Sequence, residues 1–173
     1  MQTSGEVVPF PQAAHEAPRD FRLFFEDEHL GLLKLLHFVT GDRSEAADLM
    51  QEAFLKLWER WDRISTIDDP RAYLFRVALN GSRSRARAAG RAAKHVLPFG
   101  VANDPFDDVD IREDVRRMLL KVTPRQRAAL VLLDLYGYGS EDAGRIMGIR
   151  PSTVRALATQ GRAALRIHGS PHE

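Results

Sequence analysis

The sequence predicts an all-α protein, built as two small helical domains joined by a flexible linker. Three observations predict it. Apolar residues recur at helical spacing along most of the chain, no segment alternates in the manner of a strand, and capping residues bracket the periodic runs. With 173 residues there is room for one domain or two small ones.

Residues 1–19 hold three prolines and little periodicity, and read as a disordered tail. Asp20 is placed to cap a helix over 21–39, with Phe21, Phe24, Phe25, Leu32, Leu33, Leu35 and Leu36 on its apolar face. Thr40-Gly41-Asp42 ends it. A second helix begins at Ser44, with Ala47, Met50, Phe54, Leu55, Trp58 and Trp61 near helical spacing, and both tryptophans read as core. The tract 65–69 is a loop. At Asp69-Pro70 an acidic N-cap precedes proline at the first helical position, which starts a third helix that turns Tyr73, Leu74, Val77 and Ala78 inward.

The segment 95–106, with Pro98, Gly100 and Pro105, reads as the linker. Residues 109–122 form a helix whose acidic start suits the positive end of the helix dipole. Thr123-Pro124-Arg125-Gln126 is a capping box that opens a further helix through Leu135. The next helix starts at Ser140 as N-cap and stops at Gly148, and Pro151 opens the last one. Gly144 lacks the side chain that would hold two crossing helices apart, and Val154 is suited to pack on the first of them. This is a helix-turn-helix, whose second helix can enter a major groove. The expected domains are 20–94 and 107–168, flanked by tails at 1–19 and 169–173.

Charge is distributed in blocks. The net charge of +1 and pI near 8.2 do not announce a nucleic-acid partner. Yet acids outnumber bases in 1–69, whereas 70–103 has no acid and carries Arg71, Arg76, Arg83, Arg85, Arg87, Arg91 and Lys94. Asp104, Asp107, Asp108 and Asp110 then form an acidic patch, and bases dominate after Val115. Such blocks imply separate surfaces for separate partners.

Cysteine is absent, which excludes disulfides, thiolate zinc sites and cysteine nucleophiles and fits a reducing cytoplasm. No signal peptide or membrane span is expected. The histidines at 15, 29, 37, 95, 168 and 172 are scattered, and Gly169-Ser170-Pro171 breaks the helix that would align His168 with His172. No carboxylate stands in an apolar context and no glycine loop cradles phosphate, so neither catalysis, nor a metal, nor a cofactor is expected.

Asp48-Leu49-Met50-Gln51-Glu52-Ala53-Phe54 resembles the core-binding signature of bacterial sigma factors. Asp69-Pro70-Arg71-Ala72-Tyr73-Leu74, followed by Arg76 and Asn80, resembles the promoter-melting helix that comes next in them. With the helix-turn-helix, residues 21–167 resemble a two-domain extracytoplasmic-function (group IV) sigma factor. The resemblance implies that Asp48, Gln51, Glu52 and Phe54 bind core RNA polymerase at the β′ clamp helices, with the β flap as a further contact. It implies that Arg71, Arg76, Asn80, Arg83, Arg85 and Arg87 meet the −10 element, and that Arg150, Ser152, Thr153, Arg155, Arg162 and Arg166 meet the −35 element. An anti-sigma factor is a further partner of many relatives.

Elementary chemistry agrees with these roles. Arginines on a carboxylate-free helix neutralise phosphates, and an asparagine or a loop pocket can read an unstacked base. The chain departs from the family at Ala156, Leu157, Ala158, Thr159 and Gln160, where the recognition helix usually has more basic and polar residues, and at Ala143, usually a larger aliphatic. Weak −35 readout and looser helix packing are expected there. The rival reading is a helix-turn-helix repressor or activator that acts without core polymerase and binds a duplex operator by itself.

Overall fold

In the computed structural model, residues 20–89 and 112–169 are described, and every regular element among them is helical. The first half holds α1 (Phe21–Thr40), α2 (Arg43–Trp58), the short α3 (Trp61–Ile64) and α4 (Pro70–Ala89). The second holds α5 (Glu113–Leu119), α6 (Pro124–Leu130), a π-helical turn (Val131–Leu135), α7 (Ser140–Met147) and α8 (Pro151–Gly169). The linker at 95–106 and the expected tails lie outside the described residues, except Gly169, which closes α8 rather than opening the tail, and so does the start of the helix expected over 109–122. Among the described residues of that helix, Glu113–Leu119 is α-helical.

The capping chemistry read from the sequence is in place. Asp20 accepts from the Arg22 amide at 2.8 Å, Asp69 from the Ala72 amide at 2.8 Å, and Thr123 and Gln126 close the capping box on each other's backbone. Helix α2 begins at Arg43, one residue before Ser44, and Asp42 caps it by accepting from the Glu45 amide at 2.8 Å. The first helix of the helix-turn-helix is likewise capped one residue early. Gly139 is its N-cap, Ser140 is the first helical residue, and the Ser140 hydroxyl instead accepts from Arg155 at 2.9 Å.

Helix α2 stops at Trp58, and this corrects the expectation that Trp58 and Trp61 share a core face. Had the helix continued, Trp61 would lie one turn beyond Trp58 on the same outer side. The break at Glu59 and Arg60 instead turns Trp61 inward, with its ring 5.1 Å from both Phe21 and Phe24. Trp58 stays 59% exposed and Leu55 58%. In α4, Leu74 and Ala78 are buried as expected, and Phe75 and Leu79 join them. Removing each large apolar side chain from water contributes roughly 1.5–3 kcal/mol.

The two halves share one continuous apolar core. Helix α6 packs on α1, and α7 packs on α4. The π-helical turn makes this possible. Its extra residue lets the Tyr136 amide bond back to the Val131 carbonyl at 2.9 Å, and the Tyr136 hydroxyl reaches across to donate to the Gly31 carbonyl at 2.5 Å. No helix among the described residues is long and apolar enough to cross a membrane.

The helix-turn-helix bend is set by two glycines. Gly148 takes φ 64°, the left-handed conformation that ends α7. A β-carbon on Gly144 would lie 2.9 Å from the Ile149 carbonyl oxygen and 3.3 Å from the Pro151 nitrogen. The close approach is therefore both to the turn and to the first residue of α8, the crossing helix. Ala143 is fully buried in the core that also holds Ile146, Met147 and Val154. Gly144→Ala should consequently cost about 1–3 kcal/mol in urea unfolding, because backbone atoms must move. A change below a few tenths of a kcal/mol would contradict the geometry.

Candidate nucleic-acid and protein interface

On α2, Asp48, Gln51 and Glu52 lie within little more than one turn and are all exposed. Phe54 is not part of that surface. It is turned toward α1 and is buried, with its ring 4.7 Å from Phe25, 6.2 Å from Phe21 and 6.3 Å from Phe24. The exposed stripe continues instead through Leu55 and Trp58, which periodicity alone assigned to the core. Burial of Phe54 therefore orients the acidic stripe rather than extending it.

Helix α4 carries Arg76, Asn80, Arg83 and Arg87 at positions that follow one face, with Arg76, Asn80 and Arg87 exposed. Arg83 is partly buried and donates to the Met147 carbonyl at the end of α7 at 2.7 Å. Burial holds its pKa below the usual arginine value, and the like charges of Arg125 and Arg87 act in the same direction. Arg85 faces another way. It pairs with Glu52 and lies 3.7 Å from Asp48, so a residue assigned to DNA neutralises residues assigned to the polymerase.

Arg71 is placed differently from its sequence assignment as well. Its Nε lies 3.0 Å from Glu28 Oε2, Glu28 is buried and Arg71 is partly buried, and the guanidinium sits 5.3 Å from the Phe75 ring and 5.8 Å from the Tyr138 ring. Glu28 is the carboxylate in an apolar context that sequence reading did not find. Its neighbours in the chain, Asp27 and His29, are polar, but its neighbours at helical spacing, Phe24, Phe25, Leu32 and Leu35, are apolar, and that spacing is the signal that could have found it. Burial pushes the Tyr138 hydroxyl up to about 12, with Arg71 opposing the shift, so it stays protonated beside the pair.

On α8, Arg150, Ser152, Thr153 and Arg155 are exposed around its first turn. Arg155 is held lightly by the Ser140 hydroxyl. Arg162 is held more firmly, with its Nε and Nη2 3.1 and 2.6 Å from the two carboxylate oxygens of Asp134 in the π-helical turn. Arg166 is exposed further along. The run Ala156-Leu157-Ala158 divides: Ala158 is fully buried, Leu157 is half-buried on the core and Ala156 is exposed. Of the methyl contacts expected from this run, only that of Ala156 faces outward freely.

Fold and site thus define an all-helical helix-turn-helix protein with an acidic stripe and an arginine-lined helix in its other half. The sigma-70 region 2 model matches residues 24–92, and the sigma-70 region 4 model matches residues 112–165. The chain is 32% identical over 155 residues to the ECF RNA polymerase sigma factor SigJ of Mycobacterium tuberculosis, covering 82% of this chain and 48% of that protein. It is 28% identical over 150 residues to SigE of Mycolicibacterium smegmatis, covering 80% and 57%. The chain therefore spans about half the length of these relatives. The crystal structure of SigJ superposes with a TM-score of 0.62 at 29% identity, covering 87% of this chain and 54% of that one. The sigma factor RpoE of Bartonella quintana, solved in complex with the anti-sigma factor NepR, shares the fold with a TM-score of 0.69 at 22% identity, covering 87% and 96%. The chain belongs to the sigma-70 family, in its extracytoplasmic-function branch.

The enclosed ion pair makes a stability prediction. Glu28→Leu leaves the partly buried Arg71 without its carboxylate and should cost about 3–5 kcal/mol, whereas Glu28→Leu with Arg71→Met should recover most of that loss. Chemical denaturation of the three proteins measures it. Equal stability of the single and double variants would show that the pair is not energetically enclosed.

Proposed function

We propose that this chain binds core RNA polymerase and directs promoter recognition, DNA melting and transcription initiation as a group IV sigma factor. The observation that carries the proposal is the presence in one chain, in sigma-70 order, of the acidic stripe on α2, the arginine face of α4 and the helix-turn-helix of α7 and α8. In this reading Asp48, Gln51 and Glu52 meet basic residues of the β′ clamp helices, with Leu55 and Trp58 extending the contact, and the β flap receives the second half. Arg76, Arg83 and Arg87 neutralise phosphates near the −10 element, and Asn80 pairs with a base edge. Arg71 and Arg85 act indirectly by holding α4 on α1 and α2. Arg150, Ser152, Thr153 and Arg155 approach the −35 element, and Arg162 and Arg166 contact its backbone.

No covalent bond of the DNA need be broken for strands to separate, and the lost base pairing is offset because the melted form gains contacts the duplex cannot make. The complex of Bartonella quintana RpoE with the anti-sigma factor NepR supports an anti-sigma partner for this chain also. The domains follow the sequence boundaries, 20–94 and 107–168, and the protein acts in the cytoplasm.

Transcription in vitro with core polymerase tests the proposal. Asp48→Lys with Glu52→Lys should abolish core binding and specific transcripts. Because those lysines would face Arg85, adding Arg85→Glu restores local pairing but should not restore core binding. Recovery of binding by that triple variant would mean that the acids serve the fold alone. A chain that binds a duplex operator yet never associates with core polymerase would instead be a repressor or activator.

The second half yields a separate expectation. Arg155→Ala should weaken −35 occupancy by about 1–3 kcal/mol, and more than Arg162→Ala, because Asp134 already holds the Arg162 guanidinium. Footprinting of the polymerase complex over the −35 region compares them. A footprint altered only by Arg162→Ala would reverse the assignment.

A further inference from the structure

Helix α7 starts without a side-chain cap, although a serine stands at its first residue. Gly139 is the N-cap and makes no side-chain bond to the helix, while Ser140, a residue type well suited to that task, enters the helix instead. The Ser140 hydroxyl accepts from Arg155 Nη1 at 2.9 Å, across the turn of the helix-turn-helix. A serine one position earlier would serve α7. Placed at 140, it serves α8.

Two other arginines of this half are held by carboxylates. Arg145 pairs with Asp142, and Asp134 takes Nε and Nη2 of Arg162 at 3.1 and 2.6 Å. A carboxylate on that edge occupies the fork that would match a pair of acceptors and neutralises part of the charge that attracts phosphate. Arg155 makes no ion pair among the described residues, and its acceptor is neutral. The serine takes Nη1 alone, so Nε and Nη2 of Arg155 have no partner among the described residues. A guanidinium presents its donors as a rigid fork, and a hydroxyl on Nη1 leaves the Nε–Nη2 edge whole. That edge can span two acceptors of one base or of one phosphate.

Arg155 is exposed on a helix whose rotation is set by buried Val154 and Ala158. Its remaining freedom is that of the side chain. Ordering a long side chain on binding opposes association, and a group that already restrains it in the free protein reduces that penalty.

We propose that Ser140 is a positioning residue for promoter readout, whose hydroxyl holds the Arg155 guanidinium so that its Nε–Nη2 edge meets one base pair of the −35 element. The inference rests on the proposed function for the identity of the DNA, and adds to it a residue that acts through Arg155. Serine and DNA take different donors of one guanidinium, so the bond to Ser140 persists while Arg155 engages a base.

A double-mutant cycle in the full chain tests this role. The parent, Ser140→Ala, Arg155→Ala and the double variant are bound with core polymerase to promoters carrying each single substitution of the −35 element. The ratio of affinities for preferred and substituted sequences is the quantity compared. Arg155→Ala should lose discrimination at one base pair. Ser140→Ala should lower discrimination several-fold at that same base pair, and should have no effect once residue 155 is alanine. Ser140→Thr, which keeps the hydroxyl, should retain it. A serine that serves the fold alone would instead lower thermal stability and affinity for all sequences alike, and its effect would persist beside Arg155→Ala. That result overturns the proposal, as does discrimination unchanged by Ser140→Ala or by Arg155→Ala. Promoter binding without any association with core polymerase would overturn the proposed function instead, and the same cycle on that duplex would still decide the role of Ser140.

Discussion

Helix α4 has no carboxylate of its own, and every counter-group for its arginines must come from another element. Glu28 of α1 meets Arg71, Asp48 and Glu52 of α2 meet Arg85, and the Met147 carbonyl of α7 meets Arg83. Coulomb repulsion along a helix with such a composition would otherwise favour an extended or frayed chain. The partners therefore do more than decorate the surface. They orient α4, so that one side is tied to the first half, one side faces the second half, and Arg76, Asn80 and Arg87 remain toward solvent.

The same constraint explains why several side chains assigned by type to DNA are structural by position. An arginine whose guanidinium is enclosed with a carboxylate cannot leave without stranding the other charge, which favours a supporting role for Arg71. Arg85 is more exposed, and its pairing with two carboxylates is worth correspondingly less. Arg83 is intermediate: its acceptor is a neutral carbonyl at a helix end, a partner that a phosphate can replace. The gradation from enclosed to replaceable follows burial and acceptor charge, not residue type.

The second half is organised around backbone geometry more than charge. The extra residue of the π-helical turn aims Tyr136 at α1 and leaves Asp134 outward, where it meets Arg162. Gly144 lets the turn after α7 approach to a distance no β-carbon would allow, and Pro151 starts α8 without a wasted donor. Buried Val154 and Ala158 then fix the rotation of α8, which puts Arg150, Ser152, Thr153 and Arg155 on its open side.

Caps, apolar periods and turn residues are local signals, so the sequence by itself determined the all-helical class, the start of α4 at Pro70, the capping box at Thr123 and the bend at Gly148. The sigma-type motifs were legible for the same reason, being short segments on single helices. What local signals cannot carry is which side of a helix another element will cover. Trp58 and Trp61 share spacing, yet a two-residue break after α2 leaves one outside and packs the other against the core. Phe54 and Glu52 share a motif, yet lie on opposite faces. Only tertiary packing enclosed Glu28 with Arg71, joined Arg85 to the acids of α2 and seated α7 on α4. The physical reason is that burial and electrostatic partnership arise between residues far apart in the chain, and the energy of each depends on the approach of elements whose sequences hold no record of one another.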